Sequence, residues 1–362
     1  MLGYINLHYV FKYSSVYTPF PALAALIFTL SYLIFLVVIY RFGFKSKSLL
    51  NKKSLVFFCW IALALLFAYT TFVPRFGNIG RAPSIAEWWD RFFSGLFPYN
   101  NSLTASSFPF IFLLSLPLHL IGKLSYLQLF GTGLFFFLLF KFSRNVNEIS
   151  VRMLLLFISL VFYYEVAVHS ELFTNSVLIL FAIHLAEIYL KHNYKLSTFV
   201  FVAIAFGFAA STRSILGLVI AMYVFYKFKS EPLRLLTFSV MIILVFVFLL
   251  LPFVLWDWNS FLEVGPFSIQ SRLSGIPAWL PFILFIVSMY AGYKSKSADD
   301  VFFFGGVILF ASVIISLMIK IFQSGFQNAV IGDVFDQAYL AFSVPFLILS
   351  VSLAVKNKAP AK

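Results

Sequence analysis

The amino-acid sequence predicts an all-α protein that crosses a membrane several times. Hydrophobic residues make up 62% of the chain and charged residues only 11%, whereas a soluble domain carries roughly a quarter charged residues. The mean hydropathy is +0.98, and apolar runs of about 20 residues, the length of a spanning helix, recur along the chain. Few polar intervals separate these runs, so residues 1–362 are predicted to form a single transmembrane domain.

The apolar runs predict about eleven membrane-spanning helices. Residues 1–54 contribute one additional N-terminal helix and a cytoplasmic loop, and residues 55–355 form the helical core. The predicted spans lie at about 20–40, 55–73, 124–141, 152–168, 172–190, 196–211, 214–229, 234–255, 278–293, 301–320 and 336–355.

Positive charge is distributed unevenly over the loops between these spans. Alternate loops are rich in Lys and Arg, and such loops remain in the cytoplasm. Topology therefore explains the net charge of +13, and we predict no nucleic-acid partner. The same rule places the N-terminus outside the cytoplasm and the C-terminus inside. The basic loops lie at 41–53, 141–152, 191–195, 227–234, 294–296 and 356–362.

This topology requires that residues 107–122 do not cross the membrane, because one more crossing would place the basic loop 141–152 outside. The segment is short for a span, and Pro109 and Pro117 interrupt its backbone hydrogen bonding. We therefore predict a juxtamembrane half-helix within a large outer loop, residues 74–123.

Glu87 and Asp90 in the outer loop are the candidate catalytic acids. They stand three residues apart, and this spacing places both carboxylates on one face of a helix. A structural role for Glu87 is equally open, because Ser84 as N-cap residue and Glu87 would form a capping box. Asp90 has no such role, and its neighbours Trp89 and Arg91 favour a partly desolvated general base.

Arginines outside the cytoplasm need an explanation, because topology disfavours positive charge there. Arg213 follows Ser211 and Thr212 at an outer helix end. It could bind a ligand phosphate in bidentate fashion or extend to lipid phosphates. The same alternatives hold for Arg81 and Arg272, for which the lipid or solvent interpretation is favoured.

Other polar residues near the outer face give weaker signals. His169 and Glu171 lie where one predicted span ends and the next begins. Trp256 and Asp257 belong to a sequence typical of an interfacial aromatic belt, although aromatic rings also stack on sugars. The five histidines show no metal-ligand spacing, so no metal site is predicted, and a requirement for a divalent cation stays open. The single cysteine, Cys59, excludes a disulfide within the chain.

Several short motifs follow one another over residues 55–350. They are an acidic outer loop after an early span, the turn Gly95–Tyr99, the proline-bearing segment Phe108–Gly122, Ser170–Leu172 opening a span, Ser211–Arg213 at a helix end, Trp256–Phe261 after a long span, and Asp336–Tyr339 in the last span. This order resembles the GT-C fold of polyprenyl-phosphate-sugar-dependent glycosyltransferases, in particular mannosyltransferase-like bacterial members. Two positions depart from the family pattern. Residues 74–80 contain no acid, and Ala338 stands where an arginine commonly precedes the tyrosine.

The resemblance implies a transferase that moves a sugar from a polyprenyl-phosphate donor to a glycan or lipid acceptor at the outer face of a bacterial inner membrane. Asp90 or Glu87 would act as general base, with inversion at the anomeric carbon. Arg213, Arg272 and Arg81 would bind the donor phosphate. The acceptor or sugar would contact His169, Glu171, Trp256, Asp257, Tyr99, Asp336 and Tyr339.

Two other functions stay open at the level of sequence. The chain could be a non-catalytic subunit that kept a GT-C-like fold, which the missing acid in residues 74–80 favours. It could also be a transporter or flippase of a lipid-linked glycan, although few charged residues lie deep within the predicted spans.

Overall fold

The computed structural model describes residues 1–38, 51–75, 81–100, 106–191, 194–332 and 334–351. This part of the chain is helical and contains no strand. Two 3₁₀ helices (Ser214–Leu216 and Gln337–Phe342) and a π-helical turn (Gln327–Ile331) accompany the α-helices. The α-helices are α1 (Leu2–Tyr17), α2 (Pro21–Val38), α3 (Lys52–Phe72), α4 (Arg81–Phe93), α5 (Pro109–Leu120), α6 (Tyr126–Phe142), α7 (Val146–Phe157), α8 (Leu160–Ala167), α9 (Leu172–Tyr189), α10 (Leu196–Ala210), α11 (Gly217–Phe228), α12 (Pro232–Trp256), α13 (Trp258–Val264), α14 (Pro266–Ser274), α15 (Trp279–Lys294), α16 (Ala298–Ser324) and α17 (Val344–Leu349).

Among the described residues, five helices are long and apolar enough to cross a membrane: α2, α3, α9, α12 and α16. Two bent pairs, α7 with α8 at 58° and residues 258–274 with α15 at 89°, would raise the number to seven. The prediction of an all-α chain with several membrane-crossing helices is thus confirmed, and the number of eleven spans stays a prediction. The ends of the first and last predicted spans, residues 39–40 and 352–355, lie outside the described residues.

Helix α1 is not among the predicted spans, because its sequence mixes aromatic and polar residues. It packs against α2 and α8. The buried amide of Asn6 donates to the carbonyl of Ile158 over 3.0 Å and accepts from Leu160 N over 2.9 Å. These bonds satisfy backbone groups at the break between α7 and α8. Helix α1 therefore stabilises the bend of this pair.

Ion pairs gather several basic loops at one end of the helical bundle, called the basic end here. Arg144 pairs with Asp299, which joins the loop between α6 and α7 to the start of α16. Lys227, near the end of α11, lies 3.2 Å from Glu187, near the end of α9. The loops at the other end of these helices form the opposite end of the bundle.

Helix α5 starts and ends at this opposite end. At its start, Phe108 N donates to Thr212 O over 3.1 Å, in the loop after α10. Beyond its end, Ser125 Oγ donates to Thr70 O over 3.1 Å, in the last turn of α3. Both flanks of this 12-residue helix are therefore held at the same end of the bundle.

Helix α4 begins at Arg81, three residues before Ser84. Ser84 is therefore a buried residue inside the first turn, and the capping-box interpretation of Ser84 and Glu87 is wrong. The buried face of α4 carries Arg81, Ile85 and Trp88 at helical spacing. Residues 76–80, most of the interval in which the family pattern places an acid, lie outside the described part of the chain.

Two hydrophobic cores meet at the opposite end of the bundle. The main core extends from α1 to α17. The second core is aromatic and lies under α4 and α5, where the rings of Trp88 and Phe112 stack with centroids 4.1 Å apart. The boundary between these cores is where α4, the start of α5 and the start of α9 bring polar side chains together.

Candidate functional site

Arg213 and Glu171 form a buried ion pair at the opposite end of the bundle. Arg213 lies between α10 and the 3₁₀ helix that follows it, and Glu171 is the N-cap residue of α9. Arg213 Nη2 is 2.7 Å from Glu171 Oε1, and each side chain is only 2% exposed. Burial of either charge alone would be costly, so the two residues depend on each other in the protein interior.

A short segment, residues 106–110, attaches to the loop that carries Arg213. Phe108 N donates to Thr212 O over 3.1 Å, and Phe110 N donates to Ser211 O over 3.0 Å. These backbone bonds tie the segment to the loop after α10, and its last two residues already belong to α5.

Side chains from this segment complete the surroundings of the ion pair. Ser107 Oγ donates to Glu171 Oε1 over 3.1 Å. Arg213 Nη1 donates to Ser106 Oγ, and Gln270 of α14 donates to the backbone carbonyl of Ser106. The guanidinium and the carboxylate are therefore oriented by neighbours as well as by each other.

A second arginine, Arg81, lies at the start of α4. Its Nη2 is 2.9 Å from Asp336 Oδ2, and its guanidinium carbon lies 4.9 Å from the ring centroid of Tyr339, a cation–π contact. The Arg81 side chain is 9% exposed, whereas that of Asp336 is 45% exposed. Asp336 also accepts from Ala338 N over 2.9 Å, so one carboxylate both pairs with Arg81 and caps a 3₁₀ helix.

The two ion pairs interact with each other. Burial acts to raise the pKa of Glu171, but Arg81 and Arg213 outweigh it and hold this pKa below its ordinary value. Burial likewise opposes the charge of Arg81, yet Tyr339, Glu171 and Asp336 raise its pKa above the ordinary value. Arg81, Arg213, Glu171 and Asp336 therefore form one charged unit, called the arginine cluster here.

A cavity of about 340 Å³ opens beside the arginine cluster and is called the arginine cavity here. Its polar end is lined by Arg213, Gln270 and Tyr339. The remaining wall is mostly apolar and includes Leu218 of α11, Leu284 of α15 and Val313 of α16, with several serines between the apolar side chains. A cavity with a guanidinium at one end and hydrocarbon along its wall fits an amphiphile with an anionic head group.

Glu87 and Asp90 lie on α4 but outside the arginine cluster. Asp90 follows Arg81 by nine residues, which places it about 13 Å further along the helix axis and on the opposite face. Both acids are exposed. Asp90 Oδ1 is 3.5 Å from His119 Nε2, and Glu87 Oε1 accepts from Asn100 Nδ2 over 3.3 Å.

Tyr99 and His169 lie beside the cluster. Tyr99 is buried, and its hydroxyl donates to the carbonyl of Ser107 over 3.2 Å. His169 stands two residues before Glu171 and has a φ of 52°, a left-handed conformation that His adopts more readily than most residues. Burial and the charge of Arg75 lower the pKa of His169 below its ordinary value, which favours the neutral imidazole.

Three other predicted site residues are not part of the cluster. Arg272 is exposed in the last turn of α14. Trp256 is 42% exposed at the end of α12. Asp257 caps α13 by accepting from Ser260 N over 3.0 Å, and the bonds from Ser260 hold the pKa of Asp257 below its ordinary value.

Glu165 is a further candidate residue that was not among the predicted site residues, although its position inside an apolar run was a visible signal in the sequence. It is fully buried on α8, and its Oε2 accepts from Phe173 N over 3.4 Å. Arg81, Glu171 and Asp336 lie close enough to act electrostatically on its carboxyl group. An acid inside an apolar run such as residues 160–167 marks a functional site by default, because such a charge is costly in a membrane.

Ser106, Ser107 and Gln270 are further site residues that were not predicted. Their hydrogen bonds hold the arginine cluster in place. Hydroxyl and amide side chains such as these give no signal in a single sequence, because only the fold brings them to the ion pair.

Comparisons with known proteins found no match, so the functional assignment rests on this geometry. No family model matches the chain, and no curated protein or solved structure matches it. Across the described ranges, no group of three or more His, Cys, Asp or Glu side chains is arranged to hold a metal ion.

Proposed function

We propose that the chain is a membrane glycosyltransferase that moves a sugar from a polyprenyl-phosphate donor to an acceptor, with the arginine cluster as its active site. The observation that supports this proposal is the position of Arg213 at the polar end of the arginine cavity. A guanidinium binds phosphate oxygens in bidentate fashion, and the apolar wall accommodates the first isoprene units of the donor. Because the cluster lies opposite the basic end, we place it at the outer face of a bacterial inner membrane.

The proposed catalysis depends on charge that is already oriented. As the sugar leaves the donor, negative charge develops on the departing phosphate, and Arg213 and Arg81 stabilise that charge. Glu171 and Asp336 hold the two guanidinium groups in position before the donor binds. No reorientation of these buried groups is then needed during the reaction.

A carboxylate has to accept the proton of the acceptor hydroxyl. Asp336 is partly exposed and contacts Arg81, whose guanidinium stacks on Tyr339 of the cavity wall. Glu87 and Asp90 face away from this cavity on α4. We therefore assign the role of general base to Asp336, with an expected contribution of about 10²–10⁴ to the rate, and keep Asp90 as the alternative.

A second function is a non-catalytic subunit that binds polyprenyl phosphate. The exposed position of Glu87 and Asp90, away from the arginine cluster, is the observation that favours it. In that case the cavity and Arg213 would bind the same lipid, but no sugar would be transferred.

Binding of polyprenyl phosphate to the full chain in nanodiscs tests the shared part of both functions. The variant Arg213→Gln/Glu171→Gln removes both buried charges together, so we expect it to fold and to lose binding. Arg234→Gln, an exposed arginine paired with Glu231 at the basic end, is the matched control and should bind normally. Unchanged binding in the double variant would exclude the arginine cluster as the phosphate site.

Transfer separates the two functions. Labelled polyprenyl-phosphate mannose and a bacterial membrane lipid extract supply donor and acceptor. We expect Asp336→Asn to bind the donor and to lose transfer, whereas Asp90→Asn keeps both. Transfer that depends on Asp90 alone would move the base to α4, and binding without transfer in the unmodified protein would identify the non-catalytic subunit.

A further inference from the structure

A second cavity, of about 920 Å³, lies between α3, α6, α7 and α8. It contacts a face of α8 different from the one that carries Glu165, and the 58° bend between α7 and α8 contributes to its shape. We call it the α3 cavity. Its wall is almost entirely hydrocarbon and includes Leu55, Ile61, Ala62, Leu65, Met153 and Phe157.

The α3 cavity is elongated along the helices. Its wall on α3 runs from Leu55 to Tyr69, which corresponds to about 21 Å of helix, or some two thirds of a hydrocarbon core of about 30 Å. Phe58 and Leu65 line it and are 47% and 66% exposed, so it is open towards the side of the bundle. An apolar cavity excludes water, and in a membrane the molecule that enters from the side is a lipid chain.

His169 lies just beyond the α8 end of the α3 cavity and is not part of its wall. The backbone N–H of His169 donates over 3.3 Å to the carbonyl of Val166, a residue of the cavity wall. His169 Nε2 is buried, and no described residue hydrogen-bonds to it. Arg75 adds positive charge near this imidazole. Two residues further along the chain, Glu171 belongs to the arginine cluster.

We propose that the α3 cavity binds the hydrocarbon chain of a lipid-linked acceptor, whose hydroxylated head group hydrogen-bonds to His169 and reaches the arginine cluster. This inference rests on the proposed function and names its acceptor class. The donor and the acceptor then approach the cluster along two separate cavities. Because each lipid has its own path, the two chains do not compete for one groove.

The transfer step balances with these two lipids. The acceptor oxygen forms a bond to the anomeric carbon of the sugar, and its proton passes to the general base. The bond between the anomeric carbon and the phosphate oxygen breaks, and polyprenyl phosphate leaves with the electron pair. His169 positions the acceptor hydroxyl and takes no part in bond formation.

Photo-crosslinking of the full chain in phosphatidylcholine nanodiscs tests where each lipid lies. One probe is phosphatidylglycerol, a hydroxylated glycerolipid, with a diazirine in its acyl chain. The other is polyprenyl phosphate with a diazirine in its first isoprene units. We expect the glycerolipid to label α3, α7 and α8 at the wall of the α3 cavity and the polyprenyl probe to label α15 and α16. The opposite distribution, or glycerolipid labelling spread evenly over every exposed helix, would overturn the proposal.

Two tryptophan variants on α3 test whether filling the α3 cavity excludes the lipid chain. Ala62→Trp extends into the α3 cavity, and Ala64→Trp is two residues away on a different, exposed face of α3, which borders a separate groove against α6. We expect Ala62→Trp to lower glycerolipid labelling about tenfold, which corresponds to the exclusion of about two methylene groups. Ala64→Trp should label as the unmodified protein does. Equal labelling in both variants would contradict the proposal, and the crosslink map of the unmodified protein decides if Ala62→Trp does not fold.

His169→Asn tests the head-group contact separately, since Asn also tolerates a positive φ. We expect unchanged chain labelling in the α3 cavity and a raised KM for the acceptor at similar donor binding. An unchanged KM would remove His169 from the acceptor site. If the proposed function itself is wrong, the polyprenyl probe will not label α15 and α16. In that case the α3 cavity could still bind the glycerolipid, but its role as acceptor site would be overturned.

Discussion

Arg152 and Arg213 are two buried arginines at opposite ends of the bundle, 0% and 2% exposed. Arg152 Nη2 donates to the carbonyl of Leu349 over 2.6 Å, and its Nη1 donates to Ser143 Oγ over 2.8 Å. Its acidic neighbour, Glu148, is 3.9 Å away. Arg152 therefore joins α7 to the end of α17, where the helix dipole favours a cation.

Arg213 has equal burial but different partners. Glu171 contacts it directly at 2.7 Å, and Arg213 lines the arginine cavity. Arg152 donates to a backbone and a hydroxyl oxygen, whereas Arg213 is held by a carboxylate beside space for a ligand. Burial alone thus does not distinguish a structural arginine from a binding one, whereas the partners and the adjoining cavity do.

The largest effect on stability is expected from Arg213→Leu, because it leaves Glu171 buried without its counter-charge. We expect a loss of about 3–5 kcal/mol, measured by thermal unfolding in detergent with tryptophan fluorescence. The double variant Arg213→Leu/Glu171→Leu should regain most of this stability, since no uncompensated charge remains, but should not bind polyprenyl phosphate. A double variant as unstable as the single one would show that the pair is not the reason for the loss.

Arg152→Leu should cost about 3 kcal/mol, the lower end of that range, and leave binding intact. It removes two charge-assisted hydrogen bonds worth about 1.5 kcal/mol each, and its acidic neighbour, Glu148, is 3.9 Å away rather than in direct contact. Unfolding in the same detergent measures stability, and polyprenyl-phosphate binding to the folded fraction is the second measurement. Loss of binding with unchanged stability would invert the assignment of the two arginines.

A smaller change is expected from pH. The pKa of Glu171 is held below its ordinary value of 4.5, so its contribution to stability is fully present above about pH 4.5 and is lost as the pH falls through the folded-state pKa. The difference in unfolding temperature between the unmodified protein and Glu171→Gln should therefore stay constant from pH 8 to pH 5 and shrink only below that range. A difference that already shrinks between pH 7 and pH 6 would contradict the depressed pKa.

Arg81→Gln should affect stability less than Arg213→Leu does, because its partner Asp336 is 45% exposed and remains hydrated. Arg81 is itself buried and also stabilises the charge of Glu171, so we expect a loss of about 1–3 kcal/mol, together with weaker donor binding. The matched control is Arg144→Gln at the basic end, another arginine paired with an acid. Equal donor binding in both variants would reduce the phosphate site to Arg213.

The sequence predicts the helical, membrane-crossing character of the chain well, because apolar runs need no tertiary information. It misses α1, whose polar residue Asn6 is explained only by the break between α7 and α8. It also cannot show that Ser84 lies inside α4, since a helix start depends on residues that pack against it.

The predicted site residues divide in a similar way. Arg213, Arg81, Glu171, Asp336 and Tyr339 come together in the structure, although they are up to 258 residues apart in the chain. Arg213 and Arg81 are candidates because positive charge outside the cytoplasm needs an explanation, Glu171 because it lies where one predicted span ends and the next begins, and Asp336 and Tyr339 through the family resemblance alone. Their pairing was not predictable, because spacing along a sequence carries no information on which loops meet.

Substitution of the two acids of α4 should have the smallest effects on stability and transfer. These variants show whether the base lies beside Arg213 or on the far side of α4. Glu87→Gln and Asp90→Asn replace exposed groups, so stability should change by no more than about 0.5 kcal/mol. If Asp336 is the base, both variants keep full transfer, because neither carboxylate faces the arginine cavity. Loss of transfer in Asp90→Asn with unchanged donor binding would instead require the acceptor to approach from the His119 side of α4. The functional arginine would then be separated from its base by the width of that helix, and Arg213 would bind the donor without assisting proton removal.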